Sequence, residues 1–122
     1  MAVLFVPGET ERSFLDLGIL VGLGFGLTEF ALYVFTLGAQ VLGRIPGVIF
    51  HASSACITAY GIARKKPLQF YLMAVAAHLA NNLLVLFSST SSILYIPSTI
   101  VWLATYIQAW RLYHLTSETI VV

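Results

Sequence analysis

The chain has 122 residues, 59% hydrophobic and 9% charged, with a mean hydropathy of +0.92. A water-soluble domain of this size buries only part of its surface, so this much apolar material excludes one and predicts an integral membrane protein. The formal net charge of +1 supplies no basic stripe to neutralise phosphates, which excludes a nucleic-acid partner.

Crossing a bilayer as a helix takes roughly 17 to 25 mainly apolar residues. Broken at its charges, prolines and serine cluster, the chain yields four such runs. The first covers about residues 17–37, after the polar stretch GETERSFLD. The second covers about 46–63, between GRIPG and RKKP, with Pro46 tolerated in the first turn of its helix. It contains Cys56, the single cysteine, which has neither a disulfide partner nor metal-ligand spacing around it and reads as a small buried packing residue. The third covers about 68–87 and ends at SSTSS, and the fourth covers about 93–113, with Pro97 near its first turn. All connections are short, so consecutive helices are expected to be antiparallel neighbours. The expected fold is an all-α membrane protein, a single domain over residues 1–122 forming an antiparallel bundle of four transmembrane helices.

With four spans, the amino terminus, the second loop and the carboxy terminus share one side, and that side holds Arg12, Arg64, Lys65, Lys66 and Arg111. The other side holds only Arg44. The positive-inside rule then predicts a multi-pass protein of the cytoplasmic membrane with both ends cytoplasmic. The opening MAVLFVPGETER lacks a basic start and a small-residue cleavage site, so no removable leader is expected. The Arg64–Lys66 cluster reads as a topology determinant in contact with anionic lipid. Trp110, Tyr113 and His114 read as anchors at the membrane interface.

Four polar side chains stand out within the spans. At 1.5 Å per residue, Glu29 lies about 12 Å below the outer end of helix 1, His51 about 8 Å and His78 about 13 Å, with Asn82 one turn nearer the surface. Three helices thus contribute to one slab in the outer half of the membrane. His78 and Asn82, four residues apart, are separated by about 40° around their helix and can address one target, whereas Asn81 is rotated away by roughly 100°. His51 shares a face with Ser54, Ala55 and Thr58, and Asn81 and Ser53 read as packing residues. On helix 1, Gly18, Gly22 and Gly26 form a stripe of small residues that permits close helix approach, and Glu29 lies beside it. A carboxylate at that depth costs several kcal/mol, on the order of 2 to 4, when it faces lipid, so partners are required and the histidines are available.

The segments GLGFGLTEF, RIPGVIFHASSACITAYGIARK and AHLANN resemble the signatures of the glutamic intramembrane protease superfamily, which includes the CAAX endopeptidases, the bacteriocin-processing enzymes and the PrsW and YhfC families. The resemblance spans about residues 18–83 and is nearest to PrsW and YhfC, as a reduced core. It implies a hydrolase acting on a membrane-associated polypeptide. By motif position, Glu29 with His51 would activate a water, and His78 and Asn82 would stabilise the oxyanion. A water pocket open to the outer face is expected to accompany that chemistry.

Other chemistries remain open on the residues alone. No cofactor is expected, but Glu29, His51 and His78 match a known catalytic zinc set. H-E-x-x-H is absent, and Ser53 and Ser54 lack a G-x-S-x-G turn. A small proton- or cation-relay transporter would use the same ionisable groups, and a non-catalytic membrane subunit is the third alternative. The bilayer, a polypeptide substrate and a second copy of the chain are the candidate partners.

Overall fold

A computed structural model describes residues 10–118; the first nine residues of the stretch read as lacking a removable leader lie outside them. Four helices span the length of the molecule: α1 (Glu11–Ala31), α2 (Val41–Ala63), α3 (Pro67–Phe87) and α4 (Tyr95–Leu115). All four helical segments are long and apolar enough to cross a membrane. The chain is an all-α bundle of four membrane-spanning helices, as its composition requires.

Element ends follow local chemistry. Thr10 caps α1 through a reciprocal pair of bonds with Ser13, satisfying donors that a helix start otherwise leaves open. This cap starts the helix at Glu11, six residues before the apolar run begins. At its far end α1 loosens into a π-helical turn, Leu32–Thr36. Gly38, at φ +68°, then reverses the chain, using the left-handed conformation that glycine enters without steric cost.

α2 begins at Val41 rather than at Pro46, so the proline sits inside the helix and Arg44 lies in its first turns. Pro46 has no N–H to give its preceding turn. Its carbonyl accepts from Tyr106 Oη of α4 at 2.5 Å, which ties the two helices together here. The helix closes with Lys65 N–H bonded to the Ile62 carbonyl and Lys66 N–H to that of Gly61. Lys65 takes φ 58°, the left-handed cap usually given to glycine. Gly61 makes the return tight, since a Cβ there would stand 2.5 Å from the Cβ of Phe70.

α2 is the central helix. It packs against α1, α3 and α4, while α3 also touches α4 and α1 leans chiefly on α2. The contact with α1 is made by the glycine stripe. A Cβ on Gly18 would fall 2.5 Å from Ala59 Cβ, one on Gly22 would fall 2.5 Å from the His51 carbonyl oxygen, and one on Gly26 would fall 2.9 Å from Val48 Cα. The backbones therefore approach as only glycine allows. A small core of Leu15, Cys56, Ile57, Ala109 and Leu112 lies toward the terminal end. Cys56 is 2% exposed.

At that end a polar clasp ties α1 to α2 and α4. Glu11 pairs with Arg64 at 3.1 Å and accepts from the Ser117 backbone at 3.1 Å. Arg12 donates to Thr116 Oγ1 at 2.7 Å and lies over the Tyr113 ring, whose hydroxyl donates to Asp16 at 2.8 Å. Most other large apolar side chains point outward, Phe35 at 82% and Leu42 at 81% among them, as suits a surface meant for lipid.

Replacing Gly22 by valine forces a side chain into the α2 backbone. Gly22→Val is expected to destabilise the bundle by about 1–3 kcal/mol, whereas Gly24→Ala, with nothing within 4 Å of its new carbon, leaves stability unchanged or slightly raised. Unfolding in micelles by titrated denaturing detergent measures both.

Candidate functional site

The glycine contact determines where Glu29 falls. Gly26 seats α1 on Val48 and His51, and Glu29, three residues on, sits nearly over the same helix face. Its Oε2 accepts a hydrogen bond from His51 Nε2. The His51 side chain is 11% exposed and that of Glu29 is 37% exposed, so the pair is shielded on the imidazole side and accessible on the carboxylate side.

α3 brings the second imidazole. The rings of His51 and His78 lie 4.8 Å apart, centroid to centroid. Phe25 of α1 packs on His51 at 4.9 Å, and Phe50 of α2 packs on His78 at 5.0 Å. Four rings therefore run in series, Phe25, His51, His78, Phe50, with the two imidazoles in the middle. Such tilted contacts hold rings in place beyond the effect of simple burial. Phe50, 4% exposed, is the fixed end of this row.

Three of the four residues singled out in the sequence thus meet: Glu29, His51 and His78. Asn82 does not join them by contact. It is exposed, one turn beyond His78, and its side chain makes no hydrogen bond to other described residues. Asn81 is tied down, accepting from Ser98 of α4 at 2.8 Å. The phenylalanines and Ser98 were not singled out. Phe25 is legible in retrospect because it precedes Glu29 by four residues and so shares its face. Phe50 carries no such signal, since aromatic residues are ordinary filling in membrane helices.

Compared with protein-family models, with curated proteins and with solved structures, the chain matches none. The assignment of chemistry therefore rests on the side chains themselves.

Below the rings lies a cavity of about 280 Å³. It is lined by one face of each helix: Val21, Gly22 and Phe25 of α1, His51, Ser54, Ala55 and Thr58 of α2, and Tyr71, Ala74, Val75 and His78 of α3. Its position differs from the expected pocket toward the outer face. It extends from the imidazoles toward the terminal end, because α1 and α3 both lean on α2 without closing over it, and small residues (Gly22, Ala55, Ala74) leave the floor low.

Among the described residues no three histidines, cysteines, aspartates or glutamates are grouped so as to hold an ion, and His51 Nε2, which would be a ligand, is engaged by the carboxylate. The arrangement offers acid–base chemistry. A carboxylate hydrogen-bonded to an imidazole can take a proton from water, and a second imidazole beside it can donate to a developing anion.

Two measurements follow. In a double-mutant cycle, Glu29→Ala and His51→Ala should be non-additive, with a coupling of about 0.5–3 kcal/mol, as for residues in direct contact. Asn81→Ala should lower stability by about 0.6–1.7 kcal/mol, the range for interhelical hydrogen bonds in a membrane, and Asn82→Ala should leave it unchanged; both are read from detergent unfolding.

Proposed function

We propose that the chain is an intramembrane endopeptidase of the glutamic type, hydrolysing a membrane-associated polypeptide. The observation that carries this reading is the hydrogen bond between the Glu29 carboxylate and His51, with the His78 ring against it, assembled from three helices inside otherwise apolar spans.

In this mechanism a water on the accessible side of Glu29 loses a proton to the carboxylate as its oxygen attacks the peptide carbonyl carbon. His51, fixed by Phe25 and by the carboxylate, orients the base. His78 donates to the oxyanion, and Asn82 supplies a second donor once substrate is present, about 6 Å farther along α3 on nearly the same face. Collapse of the intermediate breaks the C–N bond, and the proton held by Glu29 passes to the departing amine. Preorganised donors in a water-poor site are worth more than they would be in solvent.

The distribution of charge favours this over a relay across the membrane. The other acidic groups of the helices, Glu11 and Asp16, are engaged in the terminal clasp with Arg64, Ser117 and Tyr113. The basic residues of that end favour a cytoplasmic side for it under the positive-inside rule, which supports reading the protein as a multi-pass component of the cytoplasmic membrane.

Peptide-cleavage profiling of the detergent-purified protein tests the proposal. Glu29→Ala is expected to lower the cleavage rate by about 10²- to 10⁴-fold, the contribution usual for a general base. Equal cleavage by wild type and variant overturns it.

A further inference from the structure

The cavity beneath the imidazoles continues past Thr58 and Tyr71. A second cavity, about 380 Å³, is lined by Thr58, Ile62, Pro67, Leu68 and Tyr71, and it shares two of these residues with the first. Together they form one groove along a single face of α2 (residues 51, 54, 55, 58 and 62) and a single face of α3 (68, 71, 74, 75 and 78). From His51 to Ile62 the groove runs eleven residues, or about 16 Å at 1.5 Å per residue. That matches the hydrocarbon depth of one leaflet, half of a core about 30 Å thick.

Its mouth is charged. The turn after Ile62 carries Arg64, Lys65 and Lys66, all exposed. Arg64 is paired with Glu11. Lys65 and Lys66 have no carboxylate partner among the described residues, so two cations stand unneutralised where the groove reaches the interface.

The α2 wall of the groove is poorly suited to a polypeptide. Backbone amides in hydrocarbon need partners, yet the hydroxyls along the α2 side are already spent on their own helix, Ser54 on the Phe50 carbonyl at 2.8 Å and Thr58 on that of Ser54 at 3.2 Å. A chain of methylenes needs no such partners.

We propose that this groove is a binding site for an anionic glycerophospholipid of the leaflet at the terminal end. Its phosphate lies on Lys65 and Lys66, and one acyl chain lies between α2 and α3 with its methyl end beneath His51 and His78. The inference does not require the peptidase reading, because Glu29 takes no part in holding the lipid, although His51 and His78 line the inner end of the same groove.

The test uses the full chain in phosphatidylcholine vesicles with a trace of phosphatidylglycerol carrying a photoreactive group near one chain end. Labelling is expected to concentrate on Ala74, Val75 and His78. It should fall roughly fivefold for each lysine neutralised in Lys65→Gln and Lys66→Gln, and it should persist in Glu29→Ala. Thr58→Phe, which plugs the junction of the two cavities, should abolish it. Since the wild-type label map requires no variant to fold, it decides alone. Labels spread evenly over the outward faces of α1 and α4, or equal labelling from a phosphatidylcholine probe of the same chain, overturn the proposal.

Discussion

The approach of α1 to α2 across Gly18, Gly22 and Gly26 is the constraint from which the rest of the arrangement follows. Membrane helices gain little by hiding apolar surface from one another, since lipid is as apolar as leucine, and close packing of small residues must supply the cohesion instead. The interface places bare backbone against the carbonyl of His51 and the Cα atoms of Ala52 and Val48. The same closeness lets the Glu29 carboxylate reach an imidazole on the neighbouring helix. Packing and site geometry are thus one event.

The remaining polar groups are handled in the same spirit. Among the described residues no buried side-chain nitrogen or oxygen lacks a hydrogen-bond partner. Hydroxyls within the spans mostly bond back to their own helix, as Ser54, Thr58, Thr99 and Thr105 do. Among the described residues, bonds between helices are few: Glu29 with His51, Asn81 with Ser98, Tyr106 with Pro46, Cys56 with the Ala109 carbonyl, and the clasp at the terminal end. The clasp holds the base of α1 to α2 and α4, and the glycine stripe holds its middle. Between α1 and α3 there is little direct packing, and the upper part of the groove that runs along α2 and α3 opens there.

Much of this could be read from the residues. Four spans, their number and order, the stripe of glycines and the convergence of Glu29, His51 and His78 are all periodicity and depth, which a 3.6-residue helix converts directly into faces and levels. Helix limits were less legible. α1 starts at Glu11 because of a capping pair, and α2 starts before Pro46, whose missing N–H removes one bond from the helix without ending it. The direction of the cavity was not legible at all. It depends on which pairs of helices stay apart, a property of tertiary packing that no single span encodes, and Asn82 kept its angular position without acquiring a contact.

The π-helical turn at Leu32–Thr36 has its own bearing on this architecture. A turn of that kind holds one residue more than the α-helical winding needs, so it acts as slack beyond a fixed point. That point is Glu29, locked to His51 before the turn begins, while Tyr33, inside the turn, lays its ring under the Arg44 guanidinium at 3.5 Å. Chain length in the hairpin that joins the first two helices can therefore change by a residue and be absorbed there, as a winding difference of about 100°, before the carboxylate is turned away from its imidazole.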